Sequence, residues 1–270
     1  MISIVIVNFH TYKELTECLE SIKKNKIDYE VIVIDNEYIE IEYNKIKAEF
    51  SNSNIRIFPE HKNLGFPAAA NKGAGYTKGG FLLFLNPDIV LEEDSLEKSL
   101  EFYKLNNVGI LGCQQISEDG KIQLSFGRFP NFLREFQWKN LWKLRSINYR
   151  KFLSKVEKYI CSPTPVDWAS GSFLLISKDV YNSVEGFNKD FFIYYEDIDL
   201  CRRVKSAGYE VIYNPDIKFK HYHGKSAATN PKLSSKEYRN SQVYYYKKYN
   251  NAFQNFLLKI YLVFNGAINV

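Results

Sequence analysis

The stretch Phe81–Val90, FLLFLNPDIV, is the most informative part of this chain for its fold. Five apolar residues, Phe81–Leu85, run without interruption into Asn86, Pro87 and Asp88. A short apolar run bounded by turn residues is typical of a fully buried strand in a parallel sheet. Pro87 cannot donate a hydrogen bond to a neighbouring strand, so we expect the strand to end there. The stretch therefore predicts a central strand with Asp88 at its carboxyl end, where open α/β sheets bind ligands.

Strand and helix patterns alternate on both sides of this stretch. Strands are predicted at 2–7, 29–34, 54–58, 81–85 and 108–113, and helices at 12–24, 41–50, 66–76 and 92–103. This alternation implies an α/β fold with a mostly parallel sheet and helices on both faces.

The pattern changes after residue 115. Residues 126–160 are rich in aromatic and basic side chains and are predicted as an irregular, partly helical insert. Helices are predicted again at 178–184 and 197–207, and short strands at 210–213 and 217–220. From residue 234 to residue 267 the chain is expected to be helical.

Composition excludes several classes of protein. The 270 residues carry a net charge of +5, which is too weak to argue for nucleic-acid binding. The four cysteines lie far apart, without the spacing of a zinc site or a disulfide scaffold. The chain enters an apolar strand at once, without a signal-peptide pattern, and has no apolar run long enough to span a bilayer. A cytoplasmic protein is therefore expected.

Polar side chains follow three of the predicted strands. Asn8 follows the first, Asp35 and Asn36 the second, and Asn86 and Asp88 the fourth. In a parallel sheet these positions lie on one edge. The Asp35 carboxylate could accept a hydrogen bond from a pyrimidine base or cap the next helix. Asp88 could hold a divalent cation that binds a diphosphate, or it could belong to an ordinary turn.

A second cluster, 63–73, begins at Asn63 and includes Gly65 and Asn71. Gly65 permits a tight entry into the predicted helix, and the alanines that follow let this helix lie close to the sheet or to a ligand. Its free N–H groups could face a phosphate. The alternative is a well-packed alanine helix with a polar cap.

A third cluster places Glu196 and Asp197 at a helix start, directly after an aromatic run. The helix dipole stabilises both anions there, and a carboxylate beside a sugar hydroxyl can act as a general base. The alternative is an acidic first turn, with Asp199 paired to an arginine one turn later.

Two histidines, His221 and His223, form the last group. A neutral imidazole is a common ligand for divalent ions, although most isolated histidines are structural or lie on the surface. Only one of the two is needed for such a role.

Taken in order along residues 2–249, these clusters resemble the family-2 inverting glycosyltransferases, in particular the rhamnosyltransferase-like branch with the GT-A fold. The segments that carry the resemblance are 5–8, 33–36, 63–73, 85–88, 171–176, 186–192, 196–201 and a His-x-x-Gly-x-Ser pattern at 221–226. Each segment is weak evidence by itself, and the ordered set is specific.

The resemblance implies a role for each cluster. Asp35 would recognise the pyrimidine base of a nucleotide-sugar donor. Asp88 would be the retained metal carboxylate of the family's Asp-x-Asp motif, and His221 would complete metal or diphosphate binding. Asp197 would be the catalytic base, and Glu196 would hold the acceptor or orient that base.

Asn86 departs from the family pattern, because it replaces the first aspartate of that motif and removes one negative charge. The dependence on Mg²⁺ or Mn²⁺ is therefore expected to be weaker, or to rely on the diphosphate. The implied donor-binding residues are Asn8, Asp35, Asn36, Asn63, Gly65, Asn71, Asn86, Trp168 and Gly171.

The implied activity is inverting transfer of a sugar to a hydroxyl of a bacterial surface polysaccharide or lipid-linked glycan intermediate. The favoured donor is dTDP-rhamnose, with UDP-sugars next. One alternative is a sugar nucleotidyltransferase, which would need a basic, Gly-rich loop after the first strand that residues 8–12 do not supply. Another is a non-catalytic sugar-binding or nucleotide-binding module, which would be expected to lack Glu196 and Asp197 or the metal group.

The predicted GT-A domain spans 1–233, with a nucleotide-binding half at 1–115 and an acceptor-binding half at 116–233. Residues 234–270 form a helical, aromatic-rich extension. Its mixture of Tyr, Phe, Leu and Lys suits a helix lying on the inner face of the cytoplasmic membrane. It equally suits a helix that caps the core or forms a homodimer.

Overall fold

The computed structural model of the protein describes residues 1–51, 54–222 and 231–264. Within these ranges it confirms an α/β fold built on one large, mostly parallel sheet with helices on both faces. The second histidine of the predicted pair, the glycine and serine of its motif, and residues 265–267 of the predicted tail helix lie outside the described residues.

The structure places eleven strands and ten helices in the described ranges. The strands are β1 Ile2–Asn8, β2 Tyr29–Asn36, β3 Ile55–Glu60, β4 Phe81–Leu85, β5 Ile89–Leu91, β6 Val108–Ile116, β7 Phe126–Gly127, β8 Thr164–Pro165, β9 Trp168–Ala169, β10 Phe173–Ser177 and β11 Glu210–His221. The helices are α1 Tyr12–Ile22, α2 Glu40–Glu49, α3 Phe66–Gly75, α4 Ser95–Leu105, α5 Phe132–Ile147, α6 Tyr149–Ile160, α7 Lys178–Ser183, α8 Glu196–Ser206, α9 Pro231–Tyr249 and α10 Ala252–Phe264.

The large sheet has the strand order β3-β2-β1-β4-β10-β6-β11-β5, and β8 also pairs with β11. Strands β1 to β4 are parallel to one another, whereas β10 lies antiparallel between β4 and β6. Strand β11 is parallel to β6 and antiparallel to the short edge strand β5. The predicted central strand, β4, therefore lies near the middle of the sheet.

Helices cover both faces of the sheet, and this explains why its strands read as continuous apolar runs. All seven residues of β1 are buried. Successive side chains of a strand point to opposite faces, so Val5 packs with the alanines of α3 and Ile4 with the apolar face of α1. A Cβ atom on Gly73 of α3 would lie 2.6 Å from Val5 Cγ1, so small residues bring this helix close to the sheet, as predicted.

The insert predicted at 126–160 as irregular and partly helical is confirmed as helical, but it is more regular than expected. Residues 132–160 form two helices, α5 and α6, and the amide side chains of Asn131 and Asn148 cap their first turns. Helix α6 buries Phe152 and Val156 against the core. The dense aromatic residues obscured the helical period in the sequence, because they lie on both the packed and the half-exposed sides of the helices.

Two strand predictions also need correction. The strands expected at 210–213 and 217–220 form one strand, β11, with a register shift between Asn214 and Lys218. The edge strand β5 was not predicted, because its three residues are too few for a periodic signal.

The C-terminal helices pack against α8. The carboxylate of Asp199 in α8 is fully buried and accepts hydrogen bonds from Lys248 Nζ at 2.8 Å and Tyr249 OH at 2.6 Å, both in α9. A division of the chain at residue 233 stays a prediction. In the described ranges, no helix combines the length and apolarity that crossing a bilayer requires.

Candidate active site

Two adjoining cavities open where the carboxyl ends of β1, β2 and β4 meet. The larger has a volume of about 500 Å³ and the smaller about 140 Å³. Phe66, Asn86, Ile193 and Tyr194 line both, so Asn86 lies at their junction. The predicted shared edge of polar strand ends is therefore present, with a ligand-sized space beside it.

The smaller cavity is lined by four of the predicted donor-binding residues: Asn86 at the junction, and Asn36, Asn63 and Gly65. The Asn36 amide donates to Asn63 Oδ1 at 2.9 Å and accepts from the Leu64 N–H at 2.8 Å. Asn63 Oδ1 also accepts from the Gly65 N–H at 2.9 Å. These bonds fix the loop that leads into α3 against the end of β2.

Gly65 has a φ of +76°, and a Cβ atom there would lie 2.5 Å from the backbone oxygen of Phe192. The next N–H, of Phe66, donates to that oxygen at 2.8 Å, so it is already used rather than free for a phosphate. Gly65 thus lets the loop before α3 contact the backbone at Phe192. The next two residues, Ile193 and Tyr194, line both cavities.

Replacing Gly65 by Ala is expected to lower the free energy of unfolding by about 2–4 kcal/mol, because strain at positive φ adds to a backbone clash. Denaturant unfolding measures this change. The control is Gly75→Ala in the last turn of α3, where a Cβ would meet nothing within 4 Å. Equal stabilities for the two variants would contradict the prediction.

Asp35 and Asn8 face each other across β1 and β2, but neither lines a cavity. Asp35 Oδ1 accepts from Asn8 Nδ2 at 2.8 Å, and Oδ2 accepts from Tyr12 OH at 2.9 Å. Asp35 is only 1% exposed, and burial raises the pKa of its carboxyl. These contacts support a role in holding the strand ends together, and base recognition by Asp35 stays a prediction.

Asn71 likewise lies outside both cavity walls. Its side chain donates to the Phe187 carbonyl at 2.8 Å and accepts from the Phe187 N–H at 2.9 Å. The amide therefore binds α3 to the turn at Gly186 and Phe187. This geometry supports a structural role, and its donor-binding role stays a prediction.

Asp88 and His221 meet through the pairing of β5 with the end of β11. Ile89 lies opposite His221 in this ladder, and the Tyr222 N–H donates to the Asp88 carbonyl at 3.0 Å. His221 Nε2 consequently lies 3.3 Å from Asp88 Oδ1, and both residues are about 4% exposed. His221 also lines the larger cavity. The two residues predicted to hold a metal are therefore adjacent.

Gln115, at the end of β6, was missed by the sequence analysis. Its amide N–H₂ donates to Ser172 Oγ, and its oxygen lies 2.7 Å from His221 Nδ1. This orientation assigns the ring proton to Nδ1, because an amide oxygen only accepts, and leaves Nε2 facing Asp88. The sequence did offer a signal for this residue, because the polar pair Gln114 and Gln115 directly follows the predicted strand 108–113.

The Asp88–His221 pair fits a divalent cation, since an imidazole nitrogen and a carboxylate oxygen are suitable ligands for Mg²⁺ or Mn²⁺. Throughout residues 1–51, 54–222 and 231–264, no three His, Cys, Asp or Glu side chains are grouped to hold a metal. Cations of this kind are commonly bound by one or two protein ligands together with substrate phosphates and water.

Asp197 lines the larger cavity at the start of α8. Its Oδ2 accepts from the Gly171 N–H at 2.9 Å, and its Oδ1 accepts from the Ile198 N–H at 2.8 Å. Burial raises the pKa of Asp197 although these bonds favour the anion. A Cβ atom on Gly171 would lie 3.3 Å from Asp197 Cβ, so the glycine lets the loop approach the carboxylate closely.

Glu196 lines the same cavity, and its pKa is raised well above the usual value by burial and by the charge of Asp197. Its Oε2 atom is buried without a hydrogen-bond partner among the described residues. A buried carboxylate that is incompletely paired costs stability, and such sites are often functional.

Replacing Glu196 by Gln is expected to raise the melting temperature at pH 8 by about 2–5 °C, because the buried charge is removed. The raised pKa makes the charged form costlier in the folded state, so this gain grows as the pH rises above the unfolded-state value. Calorimetry at pH 5 and pH 8 measures it. Equal shifts at both values would contradict this assignment.

Tyr194 and Tyr195 hold a strained backbone directly before the acidic pair, with φ values of +69° and +66°. Tyr195 OH donates to Glu135 of α5 at 2.7 Å, and its ring packs on Tyr238 and Tyr245 of α9. Left-handed non-glycine residues persist where the surroundings fix them, often at functional sites. Helices α5 and α9 thus hold the backbone that leads into Glu196 and Asp197.

The walls of the larger cavity combine aromatic rings with cations. Trp168, one of the predicted donor-binding residues, lines it and packs edge to face on Trp138 with ring centroids 5.3 Å apart. Arg128, Arg134 and Lys155 also line this cavity. Sugar rings stack on aromatic faces, and the cations suit an anionic group on the same ligand.

Comparison with known proteins adds independent information. A family model described as Glycosyl transferase family 2 matches residues 3–178. The rhamnosyltransferase WbbL of Escherichia coli K12 is 26% identical over 231 residues, which cover 82% of this chain and 83% of that protein. The N-acetylglucosaminyl-diphospho-decaprenol L-rhamnosyltransferase of Mycobacterium tuberculosis is 28% identical over 198 residues, covering 66% of this chain but only 62% of that enzyme.

Among solved structures, the mannosyltransferase PcManGT from Pyrobaculum calidifontis, in complex with GDP-Man and Mn²⁺, aligns with 92% of this chain and 63% of its own chain. The TM-score is 0.61 and the sequence identity 13%, so the two proteins share the GT-A fold.

Proposed function

This chain belongs to glycosyltransferase family 2, and we propose that it transfers L-rhamnose from dTDP-rhamnose to a hydroxyl group of a lipid-linked or polysaccharide acceptor, with inversion at the anomeric carbon. The observation that carries this proposal is the position of Asp197 in the wall of the larger cavity, which His221 and Asn86 also line. The residues proposed as base and as diphosphate-binding group therefore line one space large enough for a sugar.

In the proposed reaction Asp197 takes the proton from the acceptor hydroxyl as that oxygen attacks the anomeric carbon from the face opposite the nucleotide. The Gly171 and Ile198 N–H groups hold the carboxylate in one orientation. The raised pKa of Asp197 supports this role, because it makes the carboxylate a stronger base than one in water. Glu196, beside it, orients the base or binds the acceptor.

Asp88 and His221 hold the diphosphate side of the site in this proposal, and Gln115 keeps the His221 ring oriented. A Mg²⁺ or Mn²⁺ ion bound there would neutralise the leaving diphosphate. The smaller cavity, lined by Asn36, Asn63 and Gly65, would take part of the nucleotide. Asn86, at the junction of the two cavities, would then lie near the bond that breaks.

An acceptor that carries a diphosphate is supported by two observations. Arg128, Arg134 and Lys155 line the larger cavity, on the side of the insert helices. The mycobacterial relative is named for an acceptor with a diphosphate between its sugar and its lipid. A sugar-diphospho-lipid would place its sugar beside Asp197 and its diphosphate near these cations.

The experiment that tests the proposal measures nucleoside diphosphate release by the purified protein from dTDP-rhamnose, UDP-sugars and GDP-sugars, with and without Mn²⁺. We expect release from dTDP-rhamnose to be fastest, and a thermal-shift screen of dTDP, UDP and GDP to give the same order. Folded protein that binds the nucleotide but never releases nucleoside diphosphate from a sugar nucleotide would support the non-catalytic alternative. Net synthesis of a sugar nucleotide would support the nucleotidyltransferase.

A further inference from the structure

Helix α10 is apolar on opposite sides. Leu258 and Leu262 are buried against the aromatic cluster of α8 and α9. On the other side, five apolar side chains are 37% to 86% exposed: Phe253, Phe256, Ile260, Val263 and Phe264. Their spacing places them in one stripe along the helix. A helix that is apolar on two opposite sides is normally buried on both, so we expect another surface to bind this exposed stripe.

The exposed stripe adjoins apolar residues of α5. Leu133 and Phe136 are exposed there, and the Phe136 ring lies 5.3 Å from the ring of Tyr261 in α10. Lys139 Nζ also donates to Tyr261 OH at 2.8 Å, which joins the two helices. Together, Leu133, Phe136 and the five exposed residues of α10 define the α5–α10 surface.

The basic residues near the α5–α10 surface favour an anionic binding partner. Lys259 on α10 and Lys139, which donates to Tyr261 OH, lie beside its apolar residues, and α10 has no acidic residue. The acid of α5, Glu135, is turned inward, where it accepts from Tyr195 and lines the larger cavity. Residues 132–160 contain eight Lys or Arg residues and two Glu residues, although the whole chain has a net charge of only +5.

We propose that the α5–α10 surface docks on an anionic lipid bilayer, with α10 lying in the plane of the interface. The exposed Phe, Ile and Val side chains enter the acyl boundary, and the cations contact lipid headgroups.

Docking would bring the membrane close to the active site. Helix α5 exposes Leu133 and Phe136 outward and lines the larger cavity with Trp138 and Leu141. One helix therefore separates the docked bilayer from the space beside Asp197. That docking helps a lipid-linked acceptor reach this space rests on the proposed function, whereas the docking itself does not.

Vesicle flotation of the full chain tests the proposal, with vesicles of phosphatidylcholine alone and of phosphatidylcholine with phosphatidylglycerol. We expect flotation with the anionic vesicles, weakened by high salt, and at least a tenfold lower bound fraction for the double variant Phe253→Glu, Phe256→Glu. The control variant, Ile41→Glu with Leu105→Glu, adds the same charge at two exposed apolar residues of α2 and α4 and should float like the parent.

The melting temperature and the far-UV circular dichroism of the double variant should match those of the parent, which shows that it is folded whether or not the protein is an active transferase. The proposal is overturned if the parent does not float, or if the double variant floats equally well. It is also overturned if the parent is a dimer that the double variant dissociates and neither binds vesicles, because a second copy would then cover the surface. Loss of the proposed transferase activity alone would leave the flotation result unaffected.

Discussion

Replacing Asp197 by Asn is expected to lower kcat for sugar transfer by about 10³-fold, with donor binding retained. The amide has the size of the carboxylate but cannot take a proton from the acceptor. It can still accept from the Gly171 N–H, so the loop should keep its position. The measurement is product formation under saturating donor, and the binding control is the thermal shift caused by dTDP.

The matched control is Asp179→Asn, since Asp179 is also an acidic residue in the first turn of a helix but lies exposed on α7. It should leave kcat unchanged. The acid limb of the pH profile gives a second readout. A base must be deprotonated to act, so a raised pKa of Asp197 means that activity falls at a higher pH than for an ordinary aspartate. Full activity of Asp197→Asn would exclude this residue as the base.

Replacing Asp88 by Asn is expected to reduce kcat/KM by about 10²-fold, because the substitution removes the carboxylate beside His221 at the diphosphate side of the site. The thermal shift produced by dTDP with Mn²⁺ should shrink, and that produced by dTDP alone should change little. Asp94→Asn, at an exposed turn before α4, is the control and should affect neither quantity.

The reverse change at Asn86 separates a metal role for Asp88 from a purely structural one. Asn86→Asp adds a carboxylate at the junction of the two cavities and should lower the Mn²⁺ concentration needed for half-maximal stabilisation. Identical Mn²⁺ responses of the parent, Asp88→Asn and Asn86→Asp would contradict a cation site at this edge of the sheet.

The fold was largely predictable from local sequence. Continuous apolar runs marked the buried strands β1, β2 and β4, and Pro87 marked the end of β4. Polar residues directly after these runs marked one edge of the sheet, because parallel strands end on the same side. The acidic pair at 196–197 was recognisable because it opens a helix after an aromatic run, and the structure places both residues in a cavity wall.

Local sequence could not decide which of these polar residues face a ligand. Asp35, Asn8 and Asn71 all carry suitable groups, yet each is engaged by neighbouring parts of the chain outside the cavity walls. Side-chain direction at a strand end depends on which residues arrive from elsewhere. Tyr12, for example, occupies the second oxygen of Asp35 from α1.

Local periodicity and residue chemistry were enough to predict the buried strands and their polar edge, whereas the base and cation-ligand roles rest on the family resemblance and stay predictions. That Asp88 meets His221, that Gln115 orients the imidazole, and that α5 carries both a cavity wall and an exposed apolar surface could be seen only in the folded chain. These contacts arise from strand pairing and helix packing between segments that are distant in the sequence. Strand β5 pairs with the end of β11, and Tyr195 is held by α5 and α9.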